Sequence, residues 1–267
     1  MTETPRSTPL ASRIDLQLRR ALAAFAARER ILVSTDFDGV IAPLVLDPST
    51  SRPIDGSMEL LRELAGMPGV FVAIVSGRHL SALQTLSGVA AEEPIALVGS
   101  HGAEPNRDLP LDVAFDDAAR DRLEQAVAAI AEVVEAHPPT RLERKPAGVV
   151  LHTRKVPPEV AESARTAALA IDIPGVDVMA GKQIVELSVL SVTKGDALQA
   201  LATEFGTDAT LYLGDDVTDE RAFTALADDD RNVTIKVGTG DTAARFRIAD
   251  PPAVVEVLRL LSRSRHG

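Results

Sequence analysis

From Ile31 onward, short apolar runs alternate with stretches of helical periodicity. The runs are Ile31-Leu32-Val33, 70–75, 95–98, Leu211-Tyr212-Leu213 and 233–237. Continuous rather than alternating hydrophobicity predicts strands covered on both faces, as in a parallel sheet. Helical patterns at 58–65, 80–86, 195–205 and 220–227 separate them, and 254–261 reads as a closing amphipathic helix. Alternation of this kind predicts the α/β class, with a doubly wound, mainly parallel, Rossmann-like core.

The texture changes between about 106 and 187. A long helical pattern at 117–136 ends at His137-Pro138-Pro139, followed by an apolar run from 148, a helix at 158–171 and a strand at 183–187. Polar residues set into these strands point to an inserted α+β domain. The expected organisation is an N-terminal arm and helix over 1–30, a core over 31–106 and 189–267, and an insertion over 107–188.

The start of the chain holds a possible misreading. Residues 1–10 are polar with two prolines and are expected to be disordered. Arg19-Arg20 then precedes a short apolar stretch, 21–27, which resembles a signal peptide. The stretch is mostly Ala and runs directly into Arg28-Glu29-Arg30, which favours an amphipathic helix leading into the first strand. The expected compartment is the cytoplasm, because no apolar run approaches the roughly 18 residues that span a bilayer.

Composition narrows the chemistry. The 28 Lys and Arg against 39 Asp and Glu leave a formal charge of −11, and aromatics make up 3%. Both argue against a nucleic-acid partner, which needs clustered positive charge and stacking surfaces. The chain has no cysteine, so disulfides, thiolate zinc sites and cysteine nucleophiles are excluded together. A metal would sit on oxygen ligands.

Two acidic clusters follow buried strands. In Ser34-Thr35-Asp36-Phe37-Asp38-Gly39 the two carboxylates stand at i and i+2, on one side while strand geometry lasts. Such a pair can hold a hard cation or divide labour between an ionised nucleophile and a proton donor; an Asp-rich helix cap is the plainer reading. Gly214-Asp215-Asp216-Val217-Thr218-Asp219-Glu220 repeats the pattern, and part of it suits a helix start. Two carboxylate pairs at neighbouring strand ends repel unless a cation lies between them, and magnesium is the natural occupant. The opposite sign comes from Ser76-Gly77-Arg78, a hydroxyl at a helix start, and from Lys194, which opens another helix. Together they describe phosphoryl transfer through an aspartyl-phosphate. The chain lacks a G-x-x-x-x-G-K-[ST] loop, which excludes a P-loop enzyme.

In order along the chain, Asp36-Phe37-Asp38-Gly39, Ser76, Lys194 and Gly214-Asp215-Asp216-Val217-Thr218-Asp219 resemble the four motifs of haloacid dehalogenase-like phosphatases. Ser76-Gly77-Arg78, Gly99-Ser100-His101-Gly102-Ala103-Glu104 and the 214–220 run resemble, within that superfamily, the trehalose-6-phosphate phosphatase family. The resemblance covers about 31–261. It implies hydrolysis of trehalose 6-phosphate, with Asp36 as nucleophile and Asp38 as the acid and then the base. Ser76, Gly77, Arg78 and Lys194 would serve the phosphoryl group. Magnesium would be held by Asp36, the Asp38 carbonyl and Asp215, with Asp216 or Asp219 ordering its waters. The insertion would be a cap that closes over the substrate. The superfamily commonly has Thr after the first-motif glycine, and this chain has Val40, so a hydroxyl is lost there.

Sugar recognition is expected in the insertion. Glu143 and Lys145 stand at i and i+2, on one face if that segment is extended. His152 and Arg154 repeat the spacing in the next strand, and Gly181-Lys182 leads into Glu186. The resemblance marks Glu143, Lys145 and Glu186 as sugar contacts; an ordinary solvated strand face with cross-strand ion pairs is the other reading. His152 and Arg154 are expected as supports, and His101 as a residue that orders the loop at the domain junction. Hinge segments are expected near 104–107 and 190–192. The expected partner is a small sugar phosphate, with functional coupling to a trehalose-phosphate synthase. Three other functions stay open: a phosphatase for sucrose or mannosylglycerate phosphate, a phosphomutase, and a catalytically silent domain that binds sugar phosphate.

Overall fold

The computed structural model describes residues 14–111, 116–181, 183–189 and 192–266. The expected disorder of 1–10, Lys182 and most of the 190–192 hinge lie outside them. The described chain forms two compact units, one from residues up to 110 together with those from 194 onward, the other from 111–193.

The first unit opens with helix α1 (Leu16–Ala26), capped by the Asp15 side chain, which accepts from the Leu18 amide. Then follow β1 (Ile31–Thr35), α2 (Ser57–Ala65), β2 (Val70–Val75), α3 (Leu80–Ser87), β3 (Ile95–Gly99) and the short β4 (Glu104–Pro105). The second unit contributes α4 (Asp117–Ala136), β5 (Arg141–Lys145), β6 (Gly148–His152), α5 (Pro158–Leu169), β7 (Asp177–Gly181) and β8 (Ile184–Ser188). The first unit resumes with α6 (Lys194–Phe205), β9 (Ala209–Gly214), α7 (Val217–Leu226), β10 (Val233–Val237), β11 (Phe246–Ile248) and α8 (Pro251–His266). Among the described residues no helix is long and apolar enough to cross a membrane.

The large sheet has the order β11-β10-β9-β1-β2-β3-β4, and every pairing is parallel except that of β4 with β3. Strands β1, β3, β9 and β10 are buried along their length, which is why they read as largely apolar runs. Ile31 and Val33 of β1 join α1, α2 and α8 on one face, through Leu22, Leu61 and Leu258. Leu32 joins α6 and α7 on the other, through Leu198 and Phe223.

The sheet of the second unit is antiparallel, in the order β5-β6-β8-β7. Val149, Leu151, Val185 and Leu187 pack against α4 and α5, through Ile130 and Ala164. The alternation inherent in a strand turns Glu143, Lys145, Val150 and Glu186 to the opposite face. Strand β6 ends at His152, so Arg154 lies in the turn beyond it rather than in the strand.

Candidate active site

Strand β1 sits where the sheet order reverses, with β2 on one side and β9 on the other. Ligands of open α/β sheets bind outside the carboxyl ends of the strands at such a point. Asp36 follows β1 directly, and its amide still donates to the Leu213 carbonyl at 2.8 Å. The chain then folds back: the amide of Gly39 donates to Ala42 O, and that of Ala42 to Phe37 O, at 2.7 and 2.9 Å. Gly39 has φ +77°, and a Cβ there would stand 2.0 Å from Oδ2 of Asp215. Only glycine meets both demands, so the turn that ends the first motif lets the second approach it.

Lys194, the first residue of α6, is almost wholly buried. Its Nζ lies 2.6 Å from Asp36 Oδ2 and 2.7 Å from Asp219 Oδ1. Asp219 is the better satisfied of the two acids. Oδ1 also accepts from the Tyr212 hydroxyl at 2.6 Å, and Oδ2 accepts from the amides of Asp215 and Asp216 at 2.8 and 2.9 Å. Burial works against ionisation of Asp219, but Lys194 and these donors overcome it and hold the carboxyl below its ordinary value. Burial likewise opposes the Lys194 charge, and Asp219 and Asp36 outweigh it, raising its pKa. Among the described residues Asp36 has two donors, Lys194 Nζ and the Phe37 amide at 2.5 Å, and burial wins: its pKa is pushed up to about 7. Burial, with Asp36 and Asp219 nearby, pushes Asp215 up to about 8. No donor among the described residues reaches the Asp215 carboxylate.

Asp36, Asp215 and Asp219 each bring one carboxylate oxygen within 4.8 Å of the others. Three carboxylates facing the ammonium of Lys194 leave a surplus of two negative charges when all are ionised. That surplus of hard oxygen ligands in a buried place fits a divalent cation. Asp36 and Asp215 have the spare capacity for it, since each Asp36 oxygen accepts from one donor whereas each Asp219 oxygen already accepts from two.

A pH dependence follows. Asp36 and Asp215 keep protons in the metal-free fold up to about 7 and 8, whereas the unfolded chain releases them near 3.8. Across that window the folded state binds more protons, so stability is greatest at the acid end and falls as pH rises. With a chelator present, the melting temperature should fall steadily as the pH rises from 5 to 8.5. Magnesium should restore it at pH 8.5 and do little at pH 5. Scanning calorimetry tests this, and Asp215→Asn should flatten the slope.

The remaining motif residues serve one another. Asp38 faces Arg78, whose Nε and Nη2 lie 2.5 and 2.7 Å from its two carboxylate oxygens. Arg78, expected on the substrate, thus holds the second carboxylate of the first motif. Ser76 is buried beyond β2; its Oγ accepts from the Arg78 amide at 3.2 Å, which leaves its own proton to donate. The amide of His101 donates to Ser76 O at 3.0 Å, and its ring fills the space a Cβ on Gly77 would need. Glu104 accepts from the Leu80 amide at 2.7 Å and secures the start of α3. Asp216 caps α7 in a capping box with Asp219, so α7 begins at Val217, ahead of the expected 220.

On the polar face of the second unit's sheet, Lys145 Nζ lies 2.8 and 2.9 Å from the carboxylate oxygens of Glu186. Lys145 stands opposite Gly148 in the register, so no side chain of β6 obstructs its reach to β8. Glu143 Oε2 lies 2.7 Å from His152 Nε2. Glu186 is buried and Glu143 exposed.

Tyr212 adjoins the acidic cluster through Asp219 and belongs to none of the sequence motifs. It is the only tyrosine of the chain, set in a buried strand, and a buried phenol needs an acceptor. That signal points to the acidic cluster just beyond it.

Comparison with known proteins agrees with this arrangement. Residues 34–252 match the family described as trehalose-phosphatase. The chain is 31% identical over 234 residues to the trehalose-6-phosphate phosphatase of Escherichia coli, covering 85% of each. It is 30% identical over 244 residues to a bifunctional trehalose-6-phosphate synthase/phosphatase of Thermoproteus tenax, covering 88% of this chain but only 32% of that protein. It therefore spans about a third of the length of that relative. The solved C-terminal domain of Candida albicans trehalose-6-phosphate phosphatase superposes with a TM-score of 0.78 at 25% identity, covering 93% of this chain and 97% of the other. More distant structures of the haloacid dehalogenase-like superfamily share the fold. The chain belongs to the trehalose-phosphatase family, built on the haloacid dehalogenase-like fold.

Proposed function

We propose that the protein hydrolyses trehalose 6-phosphate to trehalose and inorganic phosphate. The observation that carries this reading is the buried Asp36–Lys194–Asp219 array beside Asp215, at the reversal point of the sheet. Asp36 attacks phosphorus, the bond from phosphorus to the sugar oxygen breaks, and Asp38 gives that oxygen a proton. Asp38 then takes a proton from water, which attacks the phosphorylated Asp36 and releases phosphate. Lys194 holds the Asp36 carboxylate in place. Ser76 and the start of α3 offer donors to phosphoryl oxygens. Asp36, Asp215 and the Asp38 carbonyl would hold magnesium, which when bound offsets negative charge on the transferring phosphoryl group.

The polar face carrying Glu143, Lys145 and Glu186 reads the sugar hydroxyls in this proposal, which makes residues 107–188 a substrate-recognition domain. Charged groups that pair with hydroxyls discriminate well, because a wrong sugar leaves them unpaired. Glu186→Gln should raise KM for trehalose 6-phosphate about tenfold, with a much smaller change in kcat. Steady-state kinetics decides it, and an unmoved KM would remove this face from recognition. Coupling to a trehalose-phosphate synthase belongs to the same reading; the two activities share one name in the Thermoproteus relative. Action in the cytoplasm belongs to it too.

Phosphate release from a panel of sugar phosphates with magnesium tests the proposal. Preference for trehalose 6-phosphate, lost with EDTA, supports it. Preference for sucrose or mannosylglycerate phosphate would keep the chemistry and change the substrate, and isomerised sugar phosphate would indicate a mutase. No reaction with any would leave a silent binding domain.

A further inference from the structure

Ser51 lies in the loop that returns from the first motif to α2, just after a 3-10 turn at Pro48–Thr50. Ser49, Thr50 and Arg52 around it are exposed, yet Ser51 is wholly buried. Its Oγ donates to Asp38 Oδ1 at 3.0 Å, the same oxygen that Arg78 Nη2 reaches at 2.7 Å. The loop is built to keep it there. The side chain of Asp47 accepts from the Ser49 amide and hydroxyl at 3.0 and 2.7 Å, and Arg52 Nη1 donates to the carbonyls of Ser49 and Ser51 at 3.0 and 2.7 Å. The amide of Ile54 donates to Ile41 O at 2.8 Å, tying the loop's far end to the first-motif turn. Within that turn Val40 is fully buried in the apolar core, and the hydroxyl that reaches Asp38 comes from 13 residues downstream.

We propose that Ser51 is a positioning residue for the acid: with Arg78 it fixes the direction of the Asp38 carboxyl, and thereby its aim at the leaving oxygen. This rests on the proposed role of Asp38. Arg78 approaches through Nε and Nη2 in one plane, and two parallel bonds fix that plane but leave the pair free to swing as a unit. A third donor from a loop anchored independently of α3 removes that freedom. Proton transfer is sensitive to such aim, because the carboxyl must lie within hydrogen-bond reach of the oxygen it serves.

The test compares two esters by kcat/KM, which reports the steps up to phosphoryl transfer and excludes later hydrolysis of the phosphoenzyme. Trehalose 6-phosphate must expel an alkoxide and needs its proton; p-nitrophenyl phosphate expels a stable phenolate and does not. In Ser51→Ala the ratio of the two kcat/KM values, sugar over aryl, should fall about tenfold, and Ser51→Thr, which keeps the hydroxyl, should recover it. A ratio that stays at the wild-type value, or two values that fall in step, would overturn the assignment and leave Ser51 a loop anchor. Failure of the underlying reading is separately visible in Asp38→Asn: if Asp38 is the acid, that variant loses far more kcat/KM on the sugar ester than on the aryl ester, and if both fall in step the role of Asp38 falls and the assignment with it.

Discussion

Asp36→Asn should abolish phosphate release from trehalose 6-phosphate, by at least about a thousandfold, while the protein stays folded. Asparagine keeps the shape of aspartate and an oxygen for the Nζ of Lys194, which lies 2.6 Å from Oδ2, and gives up the bond that Oδ1 accepts from the Phe37 amide. It cannot form the acyl-phosphate bond. The substitution also removes one of the crowded carboxylates at 36, 215 and 219. The metal-free variant should therefore melt no lower than the wild type at pH 8.5, where the repulsion is greatest. Loss of activity joined to retained or higher stability separates the nucleophile from a structural acid. A variant that unfolds would place Asp36 among the structural groups.

Lys194→Met should have the opposite signature, with both activity and stability lost. The ammonium is the one charged donor shared by Asp36 and Asp219, and it is 2% exposed. Methionine fills most of the volume but leaves two buried carboxylates facing one another beside Asp215. Removing one partner of a buried ionic array costs about 3–5 kcal/mol, because the remaining charge is stranded. Part of this should return at acid pH, where the stranded carboxyls take up protons. Denaturant unfolding at pH 5.5 and 8 measures both terms. A variant as stable as the wild type at both values would contradict the view that Lys194 neutralises this cluster.

The core was legible because burial on both faces writes itself into the sequence as unbroken apolar runs. Val70–Val75 carries that signal over its whole length, whereas Val233–Val237, buried throughout, is interrupted by Thr234 and Lys236. Strand β5 carries almost none: Arg141-Leu142-Glu143-Arg144-Lys145 has a single apolar residue, since its other positions are polar on both sides of the strand. Strand β7 and the three-residue β11 are weak for similar reasons, the one half-buried throughout and the other too short for periodicity. The acidic motifs were legible as composition at strand ends. Their wiring was not, because it joins distant positions. Arg78 reaches back 40 residues to Asp38, and Lys194 reaches 158 to Asp36. Nothing in Ser-Thr-Ser at 49–51 tells which hydroxyl turns inward; that is set by the anchoring of the loop. Glu143, Lys145 and Glu186 do share a face, and they carry the ion pairs of the plainer reading as well, with His152 as the support of Glu143.

The claim at the centre of this account is that phosphorus passes through Asp36. The most direct measurement is acid quench of wild-type protein during turnover of trehalose 6-phosphate, followed by borohydride reduction and peptide mass spectrometry. Residue 36 alone should be converted to homoserine, only when substrate is present, and Asp36→Asn should show no such conversion. Steady phosphate release with residue 36 unmodified, or conversion at another aspartate, would contradict that claim.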